Sequence, residues 1–322
     1  MPVILRGREN RVAAGAGRCE ALPMQMHEGQ LFVPVAAVQE LIDAQFPRWR
    51  GLPVSPVSSP GTVNAIFRVG DGLTARFPLQ AAEPAAARLV LEAEAEAARE
   101  LLGRTGFPTP KPLAIGAPGA GYPMPWSVQT WLPGDTAQDD PGASHGLAAD
   151  LAAFVRDVRA IPVRGRRFAG GGRGGAIAVH EAWMETCFRE SEGLLDVALM
   201  RRLWAGMRDL PRGSAPDAMC HGDLIPGNVL LREGRLAGVL DVGGLGPADP
   251  ALDLMAAWHL LDAGPRRAFR EALGADDAEW ARGRAWAFVQ AMGAAWYYVE
   301  SNPPMARWAT RTLSRVAADL LD

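Results

Sequence analysis

His221-Gly222-Asp223 is followed five positions after the aspartate by Asn228, giving the skeleton H-x-D-x-x-x-x-N, and Asp241 lies further along. Between Asn228 and Asp241 stand two apolar runs, Val229–Leu231 and Leu236–Leu240, joined by Arg232-Glu233-Gly234-Arg235. That pattern predicts a β-hairpin, whose return would set Asp241 next to Asn228. Taken singly, each residue fits an ordinary turn or strand cap. Together they offer one carboxylate to orient a hydroxyl and accept its proton, with an amide oxygen and a second carboxylate as hard ligands for magnesium. Phosphoryl transfer needs that set, because the reaction is mostly positioning and charge stabilisation.

These side chains need elements to carry them. Helical spacing of Val35, Val38, Leu41 and Ile42 predicts a helix over Pro34–Phe46, with Pro34 at its first position. Two strands, Asn64–Val69 and Leu73–Phe77, flank the hairpin signal Asp71-Gly72. The Ala- and Glu-rich segment Pro84–Leu102 predicts a helix with an apolar face along Leu91, Ala95, Ala98 and Leu102, flanked by Leu101. Ser127–Leu132 is a further strand, ended by Pro133-Gly134. The stretches GLPVSPVSSPG and FPTPKPLAIGAPGAGYPMPW read as loops. Beyond residue 134 the chain is mainly helical. Helices are expected over Leu147–Ala160, His180–Leu195, Leu199–Leu210, Leu252–Leu261, Arg266–Leu273, Glu279–Val299 and Met305–Leu321, with the motifs in 218–250. A small lobe with strands and a larger helical lobe make the class α+β. The division is 1–25 as a disordered or mis-started lead-in (Met24 or Met26 being the start in the latter case), 26–133 as the N-lobe and 134–322 as the helical C-lobe.

The stretch CHGDLIPGNVLLREGRLAGVLDVGGLGPADPALDL resembles the catalytic-loop and metal motifs of the aminoglycoside phosphotransferase family, kinase-like phosphotransferases of small molecules. The spacing is also that of the protein-kinase catalytic loop and its magnesium aspartate. SSPGTVNAIFRVGDGLTARFP is similar to the family's glycine loop and next strand, GYPMPWSVQTWLPG to its inter-lobe strand, and the likeness runs over residues 27–322. The resemblance implies a bilobal protein-kinase-like fold with a nucleotide-binding, β-rich N-lobe and an acceptor site in the C-lobe. It makes Asp223 the catalytic base, Asn228 and Asp241 the magnesium ligands, and His221, Asp249 and Asp253 structural supports. Asp249-Pro250 reads equally as a helix cap followed by the first helical residue. Two positions depart from the family pattern: Val242 replaces an aromatic residue after Asp241, and Gly244 an acidic one.

The same resemblance calls for a cation on the strand after the glycine loop, paired with a helix glutamate. Arg76 fills the first role, and its planar fork suits phosphate oxygens. Glu94, flanking the apolar face, is the partner ahead of Glu96. Ser59, Gly61 and Thr62 would cover the phosphates of ATP or GTP, and backbone at Thr130–Leu132 would meet the purine. The GGGRGG run at 170–175 lacks the G-K-[ST] ending and preceding strand of a P-loop; it reads as a flexible loop bordering the acceptor pocket.

The 322 residues carry a formal net charge of −3, which argues against a partner bound by phosphate neutralisation, so no nucleic acid is expected. No apolar run is long enough for a membrane span, and the three cysteines Cys19, Cys187 and Cys220 suggest no disulfide framework. A cytoplasmic monomer or dimer is expected, with a nucleoside triphosphate and a small hydroxyl compound as partners. Trp258, Trp280, Trp286, Trp296, Tyr297, Tyr298 and Trp308 crowd the last third; most fit a core and some an apolar acceptor site. Arg307, Arg311 and Arg315 form a basic stripe, read as a solvated face, that gives no support to a polycationic acceptor. An antibiotic of aminoglycoside or macrolide type and a cellular metabolite both stay open as acceptors. So does a nucleotide-binding pseudoenzyme, against which the intact Asp223, Asn228 and Asp241 speak.

Overall fold

Strand β1 (Val54–Pro56), β2 (Asn64–Val69), β3 (Leu73–Pro78), β4 (Pro112–Gly116) and β5 (Trp126–Thr130) form one antiparallel sheet in the order β1-β2-β3-β5-β4. The computed structural model describes residues 29–58, 63–139, 141–170, 172–212 and 215–321. The expected lead-in at 1–25, with Met24, Met26 and Cys19, lies outside the described residues, as do Ser59, Gly61 and Thr62. β2 and β3 pair from Asn64↔Pro78 to Val69↔Leu73, closing over Gly70-Asp71-Gly72. β1 and β4 fall in stretches read above as loops. Both are edge strands, where proline costs no ladder hydrogen bond on the open side; their Pro56 and Pro112 obscured them in the sequence.

Helix α1 (Val35–Gln45) covers one face of this sheet, burying Ala37, Val38, Leu41 and Ile42. With Phe67, Phe77, Met124 and Trp126 these residues make the N-lobe core. Helix α2 (Pro84–Leu101) is capped by the Glu83 side chain, which accepts from the Ala86 N–H. Its buried seam runs through Leu91, Ala95, Ala98 and Leu101, so the face turns onto Leu101 and leaves Leu102 as the exposed C-cap.

The C-lobe has its own, larger core, into which α2 inserts Ala98 and Leu101. Its helices are α3 (His145–Arg159), α4 (Glu181–Glu190), α5 (Val197–Ala205), α6 (Ala256–Leu260), α7 (Ala263–Leu273), α8 (Asp277–Tyr297) and α9 (Pro303–Leu321). α4 and α5 are shorter than their apolar patterns suggested, and the segment expected as one helix at Leu252–Leu261 is a 3₁₀ stretch, Pro250–Met255, running into α6. α8 is buried almost all round, with Trp286, Phe288 and Met292 fully enclosed. Trp258 and Trp280 belong to the same core. The basic stripe of α9 is only partly solvated: Arg315 is ion-paired to Asp262 at 2.8 Å and Arg311 donates to the Gln138 carbonyl. Two small sheets complete the lobe. β6 (Asp135–Thr136) joins the hairpin β8 (Val229–Arg232) and β9 (Arg235–Val239), and β7 (Ala218–Cys220) pairs with β10 (Gly246–Ala248).

Candidate active site

β7 delivers the chain into His221, and the loop that follows is held by buried polar groups. Asp253, fully buried, accepts from the His221 and Gly222 N–H groups, each at 2.8 Å. The His221 ring bridges forward and back: Nδ1 accepts from the Asp223 N–H at 3.2 Å and Nε2 lies 3.0 Å from the Leu240 carbonyl. Accepting at Nδ1 assigns the proton to Nε2, which then donates to Leu240. Both ring nitrogens are thereby occupied. Asp249 caps the 3₁₀ stretch through the Ala251 N–H, with Pro250 at its first position, and pairs with Arg282 at 2.9 Å.

Asn228 meets Asp223 directly. Its Nδ2 donates to the Asp223 carboxylate Oδ2 at 2.7 Å and to the Asp223 carbonyl at 3.0 Å. The Asn228 carbonyl accepts from the Leu240 N–H at 2.7 Å, so the end of the return strand, and Asp241 with it, is fastened beside Asn228. The hairpin turns tightly because Glu233 and Gly234 both adopt positive φ, 53° and 72°, the conformation of a two-residue primed turn. Arg235 grips Asp150 of α3 with both Nε (2.7 Å) and Nη2 (2.5 Å), and this pairing holds the Asp150 carboxyl below its ordinary range.

Arg76 of β3 reaches across the lobes. Its Nη2 donates to Asp241 Oδ1 at 2.9 Å, and its Nη1 lies 3.8 Å from Glu94 Oε2. The other α2 glutamates have arginines of their own: Glu92 pairs with Arg88, Glu96 with Arg99 and Glu100 with Arg166. Burial pushes the Glu94 carboxyl up, the Arg76 charge opposes the shift, and the Asp241 charge adds to it. Close approach of α2 requires Gly243: a Cβ there would stand 2.7 Å from Glu94 Cγ. Val242, in the place of the family's aromatic residue, is buried in the C-lobe core.

The inter-lobe segment has few open main-chain donors. The Thr130 N–H donates to Lys111 and the Trp131 N–H to Gly72. Thr130 Oγ1 accepts from the Lys111 N–H. Of Thr130, Trp131 and Leu132, only Leu132 has an N–H not given to another backbone carbonyl of the described residues.

Among the described residues no three His, Cys, Asp or Glu side chains cluster so as to hold a metal ion by themselves. Magnesium fits the donor set nonetheless, since it is commonly held by one or two protein oxygens together with phosphate oxygens and water. The Asn228 Nδ2 is committed to Asp223, which leaves the amide Oδ1 for a cation beside the Asp241 carboxylate.

Asp223 opens on its other side into a cleft of about 480 Å³. Trp183, Tyr297, Tyr298 and Trp308 give it an aromatic wall; Arg173, His180 and Gln290 are its other polar side chains, and Asp223 is the single acidic one among the described lining residues. Burial, aided by Arg173, lowers the His180 pKa. The sequence does not single out Trp183 or His180 for this cleft, nor the two lining residues that touch Asp223. Arg173 Nη2 lies 3.1 Å from Asp223 Oδ1 and from the Gly222 carbonyl, and Gln290 Nε2 donates to Asp223 Oδ1 at 2.6 Å. Arg173 had a signal, its place inside the glycine run expected to border the pocket; Gln290 had none.

The five-stranded N-lobe and the helical C-lobe, with the β8–β9 hairpin leading to Asp241, define a protein of the kinase-like fold. Solved structures agree. The GDP complex of aminoglycoside 2'-phosphotransferase-IIIa superposes with a TM-score of 0.66 at 18% identity, covering 89% of this chain and 100% of that one. The macrolide 2'-phosphotransferase of Brachybacterium faecium gives a TM-score of 0.56 at 18% identity, covering 86% and 97%. The chain belongs to the phosphotransferase enzyme family, whose family model matches residues 54–286. Among curated proteins it is 32% identical over 180 residues to the aminoglycoside 3'-phosphotransferase of Streptomyces fradiae, covering 51% of this chain and 62% of that protein. An Escherichia coli aminoglycoside 3'-phosphotransferase is 31% identical over 147 residues, 42% of this chain and 53% of that protein. The matched region thus spans little more than half the length of these relatives. Among the described residues no helix is long and apolar enough to cross a membrane.

Proposed function

We propose that the protein transfers the γ-phosphoryl group of ATP or GTP to a hydroxyl of a small molecule. The observation that carries this reading is the position of Asp223. One carboxylate oxygen is tied to Asn228, and the side chain faces an aromatic-walled cleft able to hold a ligand. An acceptor hydroxyl in the cleft gives its proton to Asp223 as its oxygen bonds to the γ-phosphorus. The bond from that phosphorus to the bridging oxygen breaks, and the nucleoside diphosphate leaves. Asn228 and Asp241 would hold magnesium, which supplies charge neutralisation on the phosphates. Arg76, oriented by Glu94, would bind donor phosphate oxygens; the Leu132 N–H would meet the purine. A nucleoside triphosphate donor would suit a cytoplasmic setting.

The cleft favours an apolar, hydroxyl-bearing acceptor. A polycation needs several carboxylates around it, whereas the described lining offers one, already beside the Arg173 guanidinium. Relatives named for aminoglycosides and for macrolides both occur, and this lining suits a macrolide-type compound, or a metabolite of like character, better than an aminoglycoside. The test is turnover of ATP and GTP with magnesium over an acceptor panel of macrolides, aminoglycosides and neutral alcohols, wild type against Asp223→Ala. Loss of the base should lower turnover about 10²–10⁴-fold. Equal turnover by the variant would end the assignment of Asp223, and preference for kanamycin over erythromycin would end the acceptor reading.

A further inference from the structure

Behind Asp223 runs a line of buried polar groups that the reaction outlined above does not use. Gln290 of α8 donates from Nε2 to Asp223 Oδ1 at 2.6 Å, and its Oε1 lies 3.0 Å from Nε2 of His259 on α6. His259 Nδ1 lies 3.3 Å from the Thr312 hydroxyl on α9. His259 and Thr312 are almost wholly buried. Three helices of the C-lobe thus meet in one chain that ends on the carboxylate.

Its direction follows from hydrogen-bond chemistry. An ionised carboxylate only accepts, so the Gln290 amide must turn its NH₂ toward Asp223. The amide oxygen then faces His259 and needs a donor, which of the two neutral tautomers only Nε2–H provides. Nδ1 is left as an acceptor for the Thr312 hydroxyl. Reversing any member would set two acceptors or two donors against each other in a buried place, a costly mismatch. Burial independently favours the neutral imidazole, lowering the His259 pKa to about 3.

We propose that Gln290 and His259 are positioning residues for Asp223: His259 fixes the Gln290 amide, and the amide fixes the carboxylate plane. Asn228 holds the other oxygen, so the two amides clamp Asp223 from opposite sides. The proposal rests on the reading of Asp223 as the base, and its test separates the two.

The first measurement needs no acceptor. In protein labelled with ¹⁵N-histidine, long-range ¹H–¹⁵N NMR should show His259, assigned by its loss in His259→Gln, as the neutral Nε2–H tautomer at neutral pH. In Gln290→Met the acceptor is gone, and the tautomer should move toward Nδ1–H. The second is nucleotide hydrolysis in magnesium, with water as the acceptor. Gln290→Met and His259→Leu should each lower kcat about 10–100-fold, as loss of an orienting partner commonly does, with KM for the nucleotide nearly unchanged. The double variant should fall no further than the worse single one, since both act through one chain. His259→Gln keeps an N–H at that place and should retain far more activity than His259→Leu, which separates positioning from loss of folding. An Nδ1–H tautomer in the wild type would overturn the proposal. So would wild-type kcat in Gln290→Met beside an inactive Asp223→Ala, and the base would then stand. Activity retained in Asp223→Ala would sink the base itself, leaving the NMR result to decide the hydrogen-bond chain.

Discussion

Arg76 and Asp241, 165 positions apart in the chain, meet at 2.9 Å between a guanidinium nitrogen and a carboxylate oxygen. The contact joins the N-lobe sheet to the end of the C-lobe hairpin, with Glu94 on the other arm of the guanidinium. A donor triphosphate would enter between these charges, exchanging the Asp241 oxygen for phosphate oxygens on Arg76. Replacing Arg76 should therefore weaken nucleotide binding more than it slows the bound complex. Arg76→Met is expected to raise KM for ATP or GTP about 10–100-fold, the range for one or two charge-assisted hydrogen bonds. Arg76→Lys should recover part of this, because an ammonium keeps the charge and loses the fork. Initial-rate kinetics over nucleotide concentration decide it; an unchanged KM in Arg76→Met would remove Arg76 from the donor site.

Magnesium dependence offers a separate check on Asn228 and Asp241. Asn228→Ala removes the proposed ligand oxygen and one grip on Asp223. The magnesium concentration for half-maximal turnover should rise about tenfold or more, and excess magnesium should restore only part of the rate, because the grip stays lost. Asp241→Asn trades a carboxylate for a neutral amide and should show the larger shift. A magnesium titration of both variants reads this directly, and wild-type curves would exclude both residues as ligands.

The loop also depends on a buried ion pair. Asp249 is fully buried and Arg282 nearly so, and they pair at 2.9 Å. Removing one partner of a buried pair strands the other charge, at a cost of about 3–5 kcal/mol. Arg282→Leu should accordingly lower the urea midpoint sharply without a matching change in the denaturant slope. A midpoint near that of the wild type would show that Arg212, 3.8 Å from Asp249, already neutralises it.

How much of this was legible depended on how local each relationship is. The hairpin from Asn228 to Asp241 is written in two apolar runs and one turn, so the sequence alone brings those residues together. Glu94 could be chosen because its place on α2 follows from the buried seam of that helix. At its C-terminal end the seam departs from the 3.6-residue pattern: the last helical turn gives the core Leu101 and leaves Leu102 as the cap. Edge strands β1 and β4 were hidden by their prolines. Arg173 and Gln290 touch Asp223 across 50 and 67 positions, and an arginine in a glycine run or a glutamine on a buried helix carries no periodic mark of its target. The α9 arginines read as a solvated stripe because the carboxylate partner of Arg315, Asp262, stands just ahead of another helix, far away in sequence.

His259 makes stability depend on pH over a window that opens above the range where carboxylates titrate. Burial lowers its pKa in the folded protein to about 3, with Gln290 opposing and the Arg173 and Arg315 charges adding. The unfolded chain protonates the same ring near its ordinary 6.5. Above that value both states are neutral, and the contribution is complete. Below it the unfolded state binds a proton that the folded state refuses, so stability falls with pH, by at most about 1.4 kcal/mol per unit. The loss continues until the folded ring itself protonates at about 3. His180, whose pKa is also lowered by burial, acts in the same direction, so the wild-type profile alone does not isolate His259. The difference between wild type and His259→Gln does, because every other group cancels. Urea unfolding free energies measured at successive pH values between neutrality and mild acid should decline more steeply in the wild type than in the variant. Parallel profiles would mean that the folded protein takes up a proton at His259 as readily as the unfolded chain does. The neutral ring in the line of groups behind Asp223 would then be wrong.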